Sequence, residues 1–125
     1  MKLADTCVWI ESIEGSETGK RLQPILLNKQ QLLVPVVVQF ELRRWALREL
    51  DEERADTIVL AMREGHVVPI DEGVALLAAD LAADYKLRAL DALIYATALF
   101  HDAQLVTCDA HFKNLPQVEY FQKLK

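Results

Sequence analysis

At 125 residues, 52% of them hydrophobic and 26% charged, the chain fits one domain over 1–125 that buries roughly two-thirds of its unfolded surface. A net charge of −5 argues against a generic nucleic-acid binder held by a broad basic face, but not against an enzyme whose acids are offset by bound cations. Cys7 and Cys108 show no CxxC or Cys/His spacing, so they read as reduced thiols and not as a disulfide framework or a structural zinc site.

Only Lys2, Leu3 and Ala4 precede Asp5, too few for a signal peptide, and no apolar run approaches membrane-spanning length, so a cytoplasmic protein without membrane contact is expected. A very short first strand is predicted over 3–5 and a helix over 6–12, with Val8, Trp9 and Ile10 as apolar cover. Asp5 sits at the turn between them, where an aspartate ordinarily caps the helix. Residues 14–19 (EGSETG) read as a polar loop, and 20–29 as a helix with Leu22, Ile25 and Leu26 on one side and Pro24 in its first turn.

The run QLLVPV over 31–36 is the second strand, closed by Pro35, with the unbroken apolar character of a parallel strand buried on both faces. A helix over 36–50 follows, and in it Glu41 shares a stripe with Val37, Val38 and Trp45. A carboxylate aimed inward there is costly unless it meets a cation. The alternative is an exposed Glu41 paired with Arg44 three residues on. A second helix over 51–64 starts acidic and ends at Gly65 as its carboxyl-side cap, and HVVPI over 66–70 is the third strand, with His66 as a surface histidine.

An alanine-rich helix over 71–85 points Val74, Leu77, Ala78 and Leu81 inward and leaves Asp80 and Asp84 on a solvated face. The stretch 87–112 (LRALDALIYATALFHDAQLVTCDAHF) then holds a helix with Asp91 in its first turn, patterned by Leu90, Leu93, Ile94, Thr97 and His101. A short buried strand over 105–107 follows and leads directly to Asp109. Residues 118–121 form a short edge strand before the basic tail 122–125. Strands alternating with helices predict an α/β fold: a three-layer α/β/α sandwich around a parallel sheet of four to five strands.

In such a doubly wound sheet the carboxyl ends of all parallel strands share one edge, so Asp5, Glu41, Asp91 and Asp109 are expected in one cleft. Like charges a few Å apart raise each other's pKa, and four carboxylates stay ionised together only beside a cation. Mg²⁺ or Mn²⁺ suits an all-oxygen set. The chemistry of such a site is phosphodiester hydrolysis, where metal ions activate water and stabilise the leaving oxygen. No Ser/His/Asp pattern, glycine-rich phosphate loop or HExxH motif competes with it. Thr6 and Thr107 each adjoin a site carboxylate; they either orient an acid or a water, or are plain β-branched residues at element ends.

At these residues the chain resembles the PIN-domain ribonucleases of the VapC toxin type. Asp5-Thr6-Cys7-Val8-Trp9 is similar to that family's opening motif, and Glu41 to its acid in the helix after the second strand. Leu90-Asp91-Ala92-Leu93-Ile94 with Ala96-Thr97-Ala98 resembles its third motif, and Leu105-Val106-Thr107-Cys108-Asp109 with His111-Phe112 its fourth. Cys7 departs from the pattern, standing where serine or asparagine is commoner.

The resemblance implies a Mg²⁺- or Mn²⁺-dependent endoribonuclease cutting single-stranded RNA, with Asp5, Glu41, Asp91 and Asp109 as metal-binding acids and Thr107 in support. It also implies a homodimer and a higher hetero-oligomer with a small cognate antitoxin. Among the cations close in sequence to the motifs, Arg44 and Arg88 are the candidates to meet RNA phosphate or antitoxin carboxylates. Two other readings stand beside this one: a PIN-fold binding module that has lost catalysis, and a receiver-type domain phosphorylated on Asp71 after the third strand.

Overall fold

The computed structural model describes residues 1–124; Lys125, the last residue of the basic tail, lies outside them. Five parallel strands, β1 (Lys2–Ala4), β2 (Leu32–Pro35), β3 (His66–Val68), β4 (Gln104–Thr107) and β5 (Val118–Tyr120), form one sheet in the order β3-β2-β1-β4-β5. The chain lays strands outward on one side of β1 and then returns to build the other. Right-handed crossovers therefore put helices on both faces, which is the predicted three-layer sandwich. The helices pair as α1 (Thr6–Glu14) with α2 (Glu17–Leu27), α3 (Val36–Glu49) with α4 (Glu52–Met62), and α5 (Glu72–Tyr85) with α6 (Ala89–Phe100).

The strands are apolar because both faces are covered: Leu3, Leu32, Val34, Leu105 and Val106 are all buried. β3 is the exception, with His66 and Val67 exposed at the sheet edge, and Pro69 stops it two residues short of the expected end. His66 is a surface residue bonded through Nε2 to the Gln30 carbonyl at 2.9 Å.

Several elements differ from the sequence expectation for identifiable reasons. The loop over 14–19 shrinks to Gly15 and Ser16, because Ser16 caps α2 by accepting the Gly19 amide at 2.9 Å. Gly19 is thus a packing residue, since a β-carbon there would stand 2.0 Å from the Glu11 carbonyl oxygen of α1. Pro24 lies in the interior of α2, on an exposed side where the carbonyl it leaves unpaired reaches water. Gly65 follows the end of α4 and is needed for close approach to β2: a β-carbon would meet the Leu32 oxygen at 3.0 Å. Asp51 and Asp71 are not first helical residues but caps, accepting the amides of Arg54 at 2.7 Å and Val74 at 3.0 Å.

α6 is the most buried helix, with Ala92, Ile94, Tyr95, Ala96, Thr97 and Ala98 all inside. Tyr95 is fully buried, its ring edge-on to Tyr85 and to Phe112, each 6.0 Å away, and its hydroxyl donates to the Pro116 carbonyl at 2.7 Å. Burial pushes that phenol up to about 12, so it remains a donor at every working pH. One side chain thereby ties α6 to the segment that connects β4 with β5. Tyr95→Phe is expected to keep the aromatic packing, orphan the Pro116 carbonyl and cost about 1–2 kcal/mol in urea unfolding with an unchanged m value. A midpoint equal to wild type would show that water replaces the hydroxyl there.

Candidate active site

All four candidate acids stand at the carboxyl edge of the sheet or on helices that begin there. Asp5 follows β1 directly and caps α1, taking the Thr6 amide on Oδ1 at 2.8 Å. It is 5% exposed, and its backbone continues the ladder by donating to the Val106 carbonyl. Its other oxygen, Oδ2, accepts the Thr107 hydroxyl at 2.7 Å. Thr107 closes β4, fully buried, and its Oγ1 in turn accepts the Asp109 amide at 2.9 Å. A chain of two hydrogen bonds so links the acid after β1 to the acid after β4.

Glu41 lies in the second turn of α3 and is half-buried, accepting the Thr6 hydroxyl on Oε1 at 2.7 Å. This is the inward orientation; the surface pairing with Arg44 does not form, and the Arg44 guanidinium stacks 5.4 Å over Phe40. Thr6 consequently fixes two acids at once, Asp5 through its amide and Glu41 through its hydroxyl. Asp91 is in the first turn of α6, which has no side-chain cap, and the free amides of that turn favour its charge. Asp109 takes both the amide and Nδ1 of His111 on Oδ1, at 2.9 and 2.7 Å. The carboxylate only accepts, so Nδ1 carries the hydrogen.

Electrostatics shows that these four groups share one space. Burial pushes Asp5 up from 3.8 to about 6 against the bonds from Thr107 and Thr6, and the charges of Asp91 and Glu41 raise it further. Asp91 is also raised, first by partial burial, then by Asp109 and Glu41, with His111 and Arg88 opposing. Asp91 and Glu41 thus act on Asp5, and Asp109 and Glu41 on Asp91. They are gathered and not fused: among the described residues no three acid, histidine or cysteine side chains stand close enough to enclose a metal ion.

Of the two candidate arginines, Arg88 is at the site, exposed at the start of α6 and near enough to act on Asp91. Arg44 is turned away onto Phe40. Asp71, the residue a receiver domain would phosphorylate, is occupied as the cap of α5. Two contacts had no counterpart in the sequence reading of the site. His111 clamps Asp109, for which the only local sign is the two-residue spacing. Cys7 meets the Cys108 amide at 3.3 Å, for which the sequence carries no local sign at all.

Comparison with known proteins agrees with this geometry. The PIN domain family profile matches residues 2–118. No curated protein matches the chain. Among solved structures, a chain of a toxin–antitoxin complex from Klebsiella pneumoniae superposes with a TM-score of 0.82 at 25% identity, covering 98% of this chain and 99% of that one. VapBC2 from Rickettsia felis, bound to a DNA fragment from its promoter, gives 0.76 at 16% identity over 97% and 98%. Mycobacterium tuberculosis VapC20, described as a toxin that cleaves the sarcin–ricin loop, gives 0.68 at 16% identity over 83% and 85%. With a family profile spanning nearly its whole length and a sheet order that leads four acids to one edge, the chain belongs to the PIN domain family.

Proposed function

We propose that the protein is the toxin of a toxin–antitoxin module, a metal-dependent endoribonuclease that hydrolyses phosphodiester bonds in single-stranded RNA in the cytoplasm. The observation that carries this reading is the electrostatic coupling of Asp5, Glu41, Asp91 and Asp109 at one sheet edge. An enzyme gains nothing from repelling carboxylates unless a cation offsets them.

By its chemistry, though not by the present spacing of its side chains, the donor set suits a hard divalent ion. It is all oxygen, and Glu41 and Asp109 each spend one carboxylate oxygen on Thr6 and His111 while a carboxylate has four lone-pair sites to offer. Asp5, Glu41, Asp91 and Asp109 would hold Mg²⁺ or Mn²⁺, which supplies positive charge for the phosphate and a polarised water. The remaining tasks fall to the chain itself. Thr107 orients Asp5 from within the core, Thr6 holds Glu41 toward the cleft, and His111 steadies Asp109. Exposed Arg88 offers a guanidinium to a phosphate beside Asp91.

Partners are supported by exposed apolar groups away from the acids. Phe40 and Leu47 lie seven residues apart on one side of α3, and Leu60 is exposed on α4. A shallow cleft of about 520 Å³ between these helices and β3 is lined by Phe40, Arg43, Val59, Arg63 and Val67. Its mixed apolar and cationic walls suit an acidic, amphipathic antitoxin segment, and the remaining apolar area suits a second copy in a homodimer.

The central test is RNA cleavage by the purified chain in Mg²⁺ or Mn²⁺. Asp5→Ala and Asp91→Ala are expected to abolish cleavage while circular dichroism stays native; activity equal to wild type in both would sink the nuclease reading. Thr6→Val, which keeps the shape but leaves Glu41 undirected, is expected to lower cleavage and Mn²⁺ affinity by about 10–100-fold, and calorimetric Mn²⁺ titration reads this independently of RNA.

The raised Asp5 also sets a pH dependence. Its folded pKa of about 6 exceeds its ordinary 3.8, so the folded chain binds the extra proton between those values and loses stability as pH rises through that window. The contribution is about 3 kcal/mol for this well-buried group at roughly 1.4 kcal/mol per unit. Without added metal, the urea midpoint of wild type should fall between about pH 4 and 6 relative to Asp5→Asn, and Mn²⁺ should remove the difference. Parallel pH profiles for the two proteins would refute it.

A further inference from the structure

Cys7 and Cys108 are 101 positions apart in the chain yet share one spot beside the acids. Cys7 lies in the first turn of α1, two residues after Asp5, and Cys108 follows the last residue of β4. The Cys7 sulfur is 3.3 Å from the Cys108 amide nitrogen, 3.5 Å from the Thr107 hydroxyl and 3.6 Å from Asp5 Oδ2. Both are free, and both line a pocket of about 410 Å³ together with Asp109, Tyr120 and Lys123. A small solute therefore has access to the pair.

A disulfide needs sulfurs about 2 Å apart and α-carbons within about 7 Å of one another. The Cys7 sulfur lies 3.3 Å from the Cys108 backbone nitrogen, so the two side chains start from neighbouring positions. In the cytosol, disulfides in mesophilic proteins are mostly transient and redox-sensing, and here one thiol is partly exposed and the other buried beside it.

We propose that Cys7 and Cys108 are an oxidative modification site, closing to a reversible disulfide when the protein meets hydrogen peroxide. The peroxide takes two electrons from one sulfur, leaving a sulfenic acid and releasing one water. The second thiol attacks that sulfur; the S–S bond forms, the S–O bond breaks, and the hydroxyl leaves with the second thiol's proton as another water.

The bond would take the thiol donor from Asp5 Oδ2 and lock the start of α1 to the end of β4, the two elements that present Asp5 and Asp109. Control of cleavage by this bond rests on the nuclease reading above; formation of the bond does not.

The test starts from the fully reduced chain exposed to graded hydrogen peroxide. The expected result is loss of both free thiols in step, an intact mass lower by two hydrogens, a peptide pair joining Cys7 to Cys108, and full reversal by dithiothreitol. Cys7→Ser and Cys108→Ser should each keep one thiol that gains oxygen instead. Oxygen added to wild type with no internal crosslink, or crosslinks only between chains, would overturn the proposal. Cleavage of RNA should be lost with the thiols and return on reduction, and unchanged cleavage by fully oxidised protein would overturn the regulatory role. A chain that forms the disulfide but never cleaves RNA counts against the nuclease reading alone.

Discussion

The buried hydrogen bond from the Thr107 hydroxyl to Asp5 Oδ2, 2.7 Å long, joins the ends of the two middle strands of the sheet and sets where the acids face. β1 is central, paired with β2 on one side and β4 on the other, so its carboxyl end is the point from which the chain diverges in both directions. Such a point leaves a cleft, and whatever follows the strands there is presented to it. Thr107 makes that presentation specific. Its oxygen donates to Asp5 and accepts from the Asp109 amide, so one fully buried hydroxyl orients the acid after β1 and the loop after β4. Without the donors from Thr107 and Thr6, desolvation would act on Asp5 unopposed and hold it neutral over a still wider range.

The site is a local expense to the fold. Burying Asp5 and crowding Asp91 with Asp109 and Glu41 both disfavour the charged forms, and a chain selected for stability alone would place apolar groups there. The surrounding sheet tolerates it because the core around it is dense: Leu3, Ala4, Val38, Ile94, Leu105 and Val106 are essentially fully buried beside or beneath the acids. The acids are also supplied with local donors, Thr6 for Glu41 and His111 for Asp109.

The sheet and its order of elements follow from runs such as QLLVPV and from strand–helix alternation, because a parallel strand covered on both faces leaves no other pattern. What periodicity missed were effects of one residue touching another far away. Gly19 reads as a loop glycine until α1 is seen to pass 2.0 Å from where its β-carbon would be. Glu41 could be read inward or outward, and the choice was made by Thr6, thirty-five positions distant, which no window on α3 contains. Asp5, Asp91 and Asp109 stand out in the sequence because each lies at or beside an element end, a position that pattern does mark. The stacking of Arg44 on the exposed ring of Phe40 one turn back leaves no such mark, since a stacked arginine carries the same sequence signature as a free one.

The acids are built as two pairs with different supports, and this decides which parts of the structure matter to the site. Asp5 and Glu41 are bridged through Thr6, a polar link between α1 and α3. The elements that carry Asp91 and Asp109 are joined by packing: Tyr95, one turn after Asp91, meets Phe112, three residues after Asp109, edge to face inside the core, while His111 clamps Asp109 itself. Thr107 is the direct polar connection from the first pair to the second, because it bonds Asp5 on one side and the Asp109 amide on the other, with the Cys7 sulfur beside it between Asp5 and the Cys108 amide. Errors in the first pair are therefore corrected or lost at the level of one hydroxyl, whereas the second pair moves only if α6 shifts against the segment between β4 and β5. That segment is itself anchored by the Tyr95 hydroxyl on Pro116, so the placement of Asp91 against Asp109 is a property of the core and the placement of Glu41 against Asp5 a property of the surface of the cleft.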